Sequence, residues 1–415
     1  MPTASHANPS HRLSTKASFS SSPLAASTAP IHRLAASIQD YLHFPDPHPL
    51  YVVAAALVAN YAVGRPVWLM LIGPSSCGKS ELLNSLLSLP RIVEGGAVTG
   101  VGALLSGSRK KERTAESTGG LLRDIGDRGA LVIKEFTSIL SLPHETLRGV
   151  LAAFREIYDG RWTRPAGTDG GATLHWEGKM GFLTGCTEAI DHHAAMTAHM
   201  GERFLQYRYV TSDGWTETYK ALSIANGETL SAQLQQLVLS FAENLGLDWD
   251  NPPELPELDS HDKQRLIAFA QFAAHGRSSV TRDSYTKEII QASVGEYPMR
   301  LALVMGQLLS ALRYIGVHET DSWQIICKCS FDSFPGNRRL AMLALLKGAD
   351  STVDIAEHIR VSQATAKRAL EELKIYQLVD RPTPSTWAVS PWARTRLKEA
   401  LNGTGQSSRT LARVS

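Results

Sequence analysis

The chain has 415 residues, of which 43% are apolar, so it is long enough for two or three domains with substantial cores. Its formal net charge of +2 excludes a global electrostatic attraction to nucleic acid and leaves only local basic patches. No apolar run reaches the roughly 18–20 residues of a membrane span. The four cysteines have neither zinc-ligand nor disulfide-framework spacing. We therefore expect a cytoplasmic protein with reduced thiols and no membrane partner.

The first 45 residues predict a disordered tail. They are rich in Ser, Ala, Pro and His and contain no acidic residue before Asp40. Such a composition buries too little apolar surface to form a core. It also suits an organellar transit peptide, although we favour a plain tail or a start assigned too far upstream. Residues 50–63 follow as an apolar helix, which we expect beneath a sheet.

A phosphate-binding motif follows the first predicted strand. Residues 67–72 are all apolar, as in a buried strand, and residues 82–87 carry leucines at helical spacing. The segment between them matches G-x-x-x-x-G-K-[ST], the P-loop, through Gly73, Pro74, Ser75, Ser76, Cys77, Gly78, Lys79 and Ser80. In such a loop, backbone N–H groups surround a phosphate, the lysine contacts the β- and γ-phosphates, and the serine binds Mg²⁺. The sequence therefore predicts ATP and Mg²⁺ as ligands, with Ser80 on the metal.

A candidate catalytic acid ends the second predicted strand, residues 130–134. The preceding segment, 93–128, is Gly-rich and contains a basic run at 109–113, so we expect either a disordered insertion or a mobile loop with a basic tip. ATP hydrolysis requires an acid where such a strand ends, and here Glu135 follows Lys134. Glu135 is either the base that polarises the attacking water or the partner of Mg²⁺. We favour the first role.

The remaining segments predict an α/β fold followed by helices. A helix, a β-hairpin and two buried strands are expected at residues 143–158, 161–176, 179–185 and 204–210. Strands that alternate with helices indicate a parallel sheet. From residue 212 to about 316 the apolar spacing is helical. We therefore predict an ATPase core over 46–211 and a helical lid over 212–330.

The last folded unit, residues 331–401, predicts a winged helix-turn-helix. Three helices precede two short β-prone runs around a Pro-rich turn. In the third helix, with Ser362 as N-cap, the exposed face is expected to carry Gln363, Thr365, Lys367 and Arg368, which suit contacts in the major groove of DNA. The alternative is a module that docks a protein partner. Residues 402–415 predict a second disordered tail.

In this order the motifs resemble those of AAA+ ATPases, and among them the minichromosome maintenance (MCM)-like branch, over about residues 48–318. MCM proteins carry an insertion before the Walker B strand and a hairpin before the sensor-1 strand, which segments 98–108 and 161–179 resemble. The resemblance implies that Thr187 is a sensor-1 residue near the γ-phosphate. It also implies that Arg203 is an arginine finger acting on a neighbouring subunit and that Arg300 is a sensor-2 arginine. The chain is most similar to bacterial and mobile-element proteins of this kind.

Three features depart from the MCM pattern. Lys134 stands where the Walker B motif has Asp, nothing before residue 48 matches the MCM N-terminal domain, and the hairpin tip at 167–171 lacks basic residues. With these departures, we expect an ATP-driven homo-oligomer, a ring or open spiral, that acts on DNA as a helicase-like motor or replication initiator. The alternatives are a nucleotide-gated DNA-binding regulator with little or no hydrolysis, and a protein-remodelling ATPase.

Overall fold

The structure, a computed structural model of the chain, describes residues 29–106, 119–165, 173–193, 203–210, 214–223 and 227–402. Its N-terminal half is an α/β unit. The strands of this half are β1 (Trp68–Ile72), β2 (Ile92–Glu94), β3 (Arg128–Ile133), β4 (Arg161–Pro165), β5 (Thr173–Glu177), β6 (Lys179–Cys186) and β7 (Phe204–Arg208). Five of them form one sheet in the order β2-β3-β6-β1-β7, with every pairing parallel. The predicted α/β class with a parallel sheet is confirmed.

Helices cover the sheet, as a parallel sheet requires. They are α1 (Pro30–Gln39), α2 (His48–Tyr61), α3 (Lys79–Asn84), α4 (Val101–Leu104), α5 (Leu121–Ile125), α6 (Thr137–Leu140) and α7 (His144–Tyr158). Every residue of α2 is buried, and this helix packs against β1, β3 and β6 as predicted. Asn60 of α2 holds the entry to β1, because its side chain bonds both the N–H and the C=O of Val67.

Helix α1 contradicts the prediction of disorder over residues 1–45. Ile31, Leu34 and Ile38 recur at helical spacing and are at most 7% exposed, packed in the main core. Three large apolar residues on one helical face suffice for docking, and the averaged composition of the segment hid this stripe. The prediction is therefore wrong for residues 30–39, whereas residues 1–28 lie outside the described ranges.

The predicted hairpin before β6 is confirmed in its strands. β4 pairs antiparallel with β5, Trp162 faces Trp176 in the register, and both tryptophans are buried. Arg164 donates to the carbonyl oxygen of Leu105, so the hairpin contacts the insertion that precedes β3. The hairpin tip and the basic run at 109–113 lie outside the described residues.

The next segment is mostly helical, with α8 (Trp215–Ser223), α9 (Gly227–Asn244), α10 (Ser260–Arg277), α11 (Met299–Tyr314) and α12 (Glu319–Asp332). A hairpin of β8 (Val280–Arg282) and β9 (Ile289–Ala292) interrupts it, so the prediction of a wholly helical lid is wrong there. Buried and exposed residues do not alternate clearly along these two strands, because their residues are all at least partly exposed. The two segments therefore show no clear strand signal in the sequence. No helix in the described ranges combines the length and apolarity that crossing a bilayer requires.

The C-terminal unit contains α13 (Gly336–Leu346), α14 (Thr352–His358), α15 (Gln363–Ile375), β10 (Val379–Asp380), β11 (Ala388–Val389) and α16 (Pro391–Leu401). The first five elements lie where the sequence predicts them, whereas α16 is an addition. α16 packs along α10, where Arg265 donates to the Ala400 carbonyl and His275 stacks on Trp392 with ring centroids 4.1 Å apart. The unit is therefore docked closely on the helices that precede it.

Candidate functional site

The P-loop connects the end of β1 to the start of α3 at the carboxyl edge of the sheet. Ser76 and Gly78 have φ angles of 64° and 84°, so both adopt left-handed backbone. A turn containing such residues gathers successive N–H groups into an anion-binding concavity. β1 lies between β6 and β7, so the residues that follow both of these strands border the loop. The backbone geometry therefore fits a bound phosphate.

Lys79 holds its positive charge inside this loop. Its Nζ donates to the carbonyl oxygens of Gly73 and Pro74, at 2.9 and 2.6 Å, and lies 3.5 Å from the Cys77 sulfur. The residue is only 5% exposed. Hydrogen bonds from an ammonium group to phosphate are stronger than those to neutral carbonyls, so an incoming phosphate would compete well for Lys79. Ser80, in contrast, is exposed at the first turn of α3, where a metal could reach its hydroxyl.

Glu135 is an exposed residue of the same edge. Its carboxylate accepts from the Thr137 N–H at 3.1 Å and from the Thr137 hydroxyl. These bonds orient the carboxylate without burying it. β3, which precedes Glu135, is separated from β1 by β6, and Thr187 follows β6 directly beside the P-loop. The structure therefore brings the P-loop, Thr187 and Glu135 to one edge.

Cys186 links these groups electrostatically. Its sulfur lies 3.7 Å from the Thr137 hydroxyl. Burial, as the largest effect, raises the pKa of the Cys186 thiol to about 11, while Glu135 raises it further and Lys79 opposes that rise. The buried thiol is therefore within electrostatic reach of both Glu135 and Lys79.

Lys134 pairs with an acid at the end of the neighbouring edge strand. Its Nζ lies 2.6 Å from a carboxylate oxygen of Glu94, which ends the edge strand β2. Both side chains are about two-fifths exposed, so the ion pair contributes little to stability. The residue before Glu135, where the sequence analysis expected an acid, is therefore a lysine paired with a carboxylate of the neighbouring strand.

Two aromatic residues beside the P-loop were missed by the sequence analysis. Phe44 is 4% exposed, and a Cβ on Gly78 would lie 3.5 Å from its ring. Tyr209 donates its N–H to the Ile72 carbonyl, and its ring centroid lies 6.3 Å from that of Phe44. Burial raises the pKa of the Tyr209 hydroxyl well above its ordinary value, and among the described residues this hydroxyl has no hydrogen-bond partner. The sequence analysis overlooked Phe44 because it assigned residues 1–45 to a disordered tail.

A buried ionic network ties this edge to the C-terminal unit. Arg208, the last residue of β7, binds Asp191 through both terminal nitrogens, at 2.9 and 2.7 Å, and donates its N–H to Asp332. Asp191 also accepts from the N–H of Gly336, where α13 begins. Asp191 belongs to the 3₁₀ turn Glu188–His193 that immediately follows Thr187. A displacement of this turn would therefore be felt at the start of α13.

Arg203 and Arg300 lie at the opposite edge. Phe204 pairs with Trp68, so Arg203 is level with the start of β1, whose two ends are about 15 Å apart. Arg203 is 6% exposed and binds Asp159 at 2.9 Å. The guanidinium carbons of Arg203 and Arg300 lie 5.3 and 5.9 Å from the centroid of the Tyr158 ring. Burial and then the charge of Arg300 lower the pKa of Arg203. The two arginines are thus together, but remote from the P-loop of their own chain.

The four residues predicted to contact DNA lie in two different environments. Ser362 caps α15 as predicted, and Gln363 and Lys367 are exposed. Thr365 and Arg368 instead line a cleft of about 290 Å³. The β8–β9 hairpin contributes to this arrangement, because Arg282 donates to the carboxylates that follow Arg368 in α15, those of Glu371 and Glu372.

Comparison of the chain with models of known protein families gives no match, and no curated protein is significantly similar to it. Among the described residues, no group of three or more His, Cys, Asp or Glu side chains could hold a metal ion. A Mg²⁺ ion bound with a nucleotide needs only one or two protein oxygens, because phosphates and water supply the rest. Ser80 and Glu135 are the predicted donors that the structure places at the P-loop edge.

Proposed function

We propose that this chain is a P-loop ATPase of the AAA+ type, similar to the MCM-like branch, that works on DNA as a homo-oligomeric ring or spiral. The observation that carries the proposal is the convergence of the P-loop, Thr187 and Glu135 at the carboxyl edge of one parallel sheet. Ligands of open α/β sheets bind outside this edge. Lys79, already inside the loop, supplies the positive charge that a triphosphate requires.

Each residue of the edge has a role in this proposal. The loop N–H groups and Lys79 would hold the phosphates, Ser80 would bind Mg²⁺, and Thr187 would contact the γ-phosphate. Mg²⁺, when bound, neutralises charge that develops on the transferred phosphoryl group. Glu135, held by Thr137, would accept a proton from the attacking water. Its exposure leaves the carboxylate accessible to that water.

The position of Arg203 and Arg300 is an argument for the proposed assembly of several copies. Arg203 lies about one strand length from its own P-loop and Arg300 contacts the same Tyr158 ring, so we assign neither to the nucleotide site of its own chain. They are close enough together to act on a single anion. A neighbouring subunit that presented its P-loop to this edge would bring its triphosphate to both arginines, provided that Arg203 leaves Asp159.

The C-terminal unit is proposed to be a winged helix-turn-helix that contacts DNA. Its three helices and two-stranded sheet suit that fold, and Gln363 and Lys367 are exposed on the third helix. Thr365 and Arg368 would reach DNA only if the cleft beside the β8–β9 hairpin opened. In its present position the unit therefore exposes two of the four residues that are expected to contact DNA bases.

The ion pair between Lys134 and Glu94 favours a second candidate function. With a lysine in place of the usual acid, Mg²⁺ loses a partner and hydrolysis is slowed. The protein would then be a nucleotide-gated DNA-binding regulator, in which ATP controls assembly without sustained turnover. The network from Thr187 through Asp191 to Gly336 suits either function, because it joins the nucleotide edge to the C-terminal unit.

Steady-state ATP hydrolysis, measured with and without single- and double-stranded DNA, distinguishes the two candidates. A motor should show turnover that rises with DNA and falls about 100-fold or more in a Glu135→Gln variant that still binds ATP. A regulator should bind ATP with negligible turnover in both proteins. Failure of the wild-type chain to bind ATP at all would refute both.

A further inference from the structure

An apolar groove of about 660 Å³ runs along α10 and α11. Its floor and walls include Leu266, Ile267, Met299 and Leu303, while Lys263 and Gln307 belong to its polar rim. Ile267, Met299 and Leu303 are 48%, 60% and 47% exposed. Large side chains rarely remain so exposed in a contiguous patch unless a partner covers them. Groove residues on α11 extend from Met299 to Ser310, a length of about 16 Å at 1.5 Å per residue.

The same chain displays a helix that matches this groove. Trp215, Tyr219 and Leu222 of α8 are 74%, 65% and 82% exposed. Their i, i+4, i+7 spacing aligns them on one face, in the pattern of an amphipathic helix that docks in a groove. The three positions span about 10 Å, which fits within the groove. Aromatic anchors in an apolar pocket are the usual centre of a protein interface.

The groove lies on the side of the two arginines, and helix α8 lies on the side of the P-loop. The groove includes Met299, the residue before Arg300, so it adjoins the arginines that are proposed to act on a neighbour. Helix α8 lies on the P-loop side: Lys220 donates to the Gln39 carbonyl, and Gln39 exchanges two hydrogen bonds with Phe44, which borders Gly78. A copy that turned its arginines toward the next P-loop would therefore turn its groove toward the next α8.

We infer that the occupant of the α10–α11 groove is helix α8 of a second copy of this chain, with Tyr219 at the centre of the contact. The interface is heterologous, because each copy contributes its groove to one neighbour and its α8 helix to the other. Repetition of such a contact generates a ring if the rotation closes and an open spiral if it does not. This inference rests on the proposed function for the arrangement of the arginines, but it assigns surfaces that nucleotide chemistry alone does not require.

Sedimentation velocity of the full chain, with Mg²⁺ and a non-hydrolysable ATP analogue, tests the contact. We expect the wild-type chain to self-associate, and Leu303→Glu or Tyr219→Lys alone to weaken self-association at least about tenfold, because each places a charge in the apolar contact. The double variant should recover to within about threefold of wild type, because the two new charges face each other across the interface. Both residues are exposed, so neither substitution disturbs the core.

Val353→Glu serves as a matched control, because Val353 is 44% exposed on α14 and belongs to neither surface, so its substitution should leave assembly unchanged. Binding of the ATP analogue is measured for every variant. Single variants that assemble normally, or a double variant that does not recover, would overturn the inference while leaving ATP binding intact. A wild-type chain that binds the analogue but remains monomeric would overturn it as well. A wild-type chain that binds no analogue would instead refute the proposed function.

Discussion

The two edges of the central sheet carry their charged groups in contrasting ways. At the carboxyl edge, Lys79 is held by main-chain carbonyls within a preformed loop, while Glu135 is exposed. At the amino edge, Arg203 is buried against Tyr158 and paired with Asp159, with Arg300 nearby. The first edge has a loop geometry that suits an anion bound within its own chain. The second gathers like charges, an arrangement that an external anion would relieve.

If the proposed assembly forms, residues of one active site need not be close in one chain. Arginines that contacted the nucleotide of their own chain would lie at the carboxyl edge, beside the P-loop. Under the proposed function, the position of the two arginines about 15 Å away is explained by two neighbouring copies, in which the arginines of one copy lie at the P-loop of the next. The role of the amino edge can therefore be tested with variants that leave the P-loop unchanged.

The largest expected effect is that of Arg203→Ala on ATP turnover. An arginine that stabilises charge on the transferred phosphoryl group contributes about 10³-fold or more, so turnover should fall by that order. Nucleotide affinity of the isolated chain should change little, because Arg203 is remote from its own P-loop. Arg148→Ala, a substitution on the exposed face of α7, is the control. Loss of nucleotide affinity in the Arg203 variant would contradict action in trans.

Mixing experiments sharpen the same prediction. A Lys79→Ala chain should bind nucleotide about 10- to 100-fold more weakly, because a charged hydrogen-bond donor is removed. Such a chain still has Arg203, and the Arg203→Ala chain still has an intact P-loop. A mixture of the two inactive variants should therefore recover part of the turnover. A mixture as inactive as its components would place both residues in one site of one chain.

The strand and helix that flank the P-loop were predicted correctly because their signals are local. A P-loop is a run of eight residues between a strand and a helix, and both flanking elements appear where the apolar pattern indicates. The helices of the C-terminal unit were predicted for the same reason, since caps such as Ser362 and inward residues such as Leu370 are short-range features.

What could not be predicted depends on contacts distant in sequence. Lys134 meets Glu94 only because β2 pairs with β3, and Arg368 faces a cleft only because the C-terminal unit docks on α10 and the β8–β9 hairpin. Helix α1 was missed because composition was averaged over a segment whose last third is amphipathic. Pairing, docking and register are set by the whole fold, and a single sequence carries them weakly.

A smaller effect is expected at Lys134. Restoring an acid with Lys134→Asp, together with Glu94→Gln to avoid a new carboxylate pair, should raise turnover by about three- to tenfold, because Mg²⁺ regains a carboxylate partner. Lys134→Ala with Glu94→Gln is the control, and it should leave turnover near the wild-type value. Steady-state rates at saturating ATP measure the difference. A decrease in the Asp variant would show that the lysine itself is used in the reaction.

The smallest effect concerns stability at the amino edge. Lys179 begins β6 and donates to the carbonyls of Ala59 and Ala62 at the end of α2, beside Arg128. Burial, followed by the charge of Arg128, lowers the pKa of Lys179 to about 7. Between that pH and the ordinary lysine pKa near 10.4, the folded chain has released a proton that the unfolded chain keeps. The free energy of unfolding should therefore rise with pH across this window.

That rise is limited to about 1.4 kcal/mol per pH unit for one proton, and it should be absent below pH 7, where both states are protonated. Urea unfolding of the wild-type chain between pH 6.5 and 9.5 measures it, and Lys179→Met should remove it, because methionine does not titrate. Equal pH dependence in both proteins would show that Lys179 stays charged in the fold, held by the α2 carbonyls.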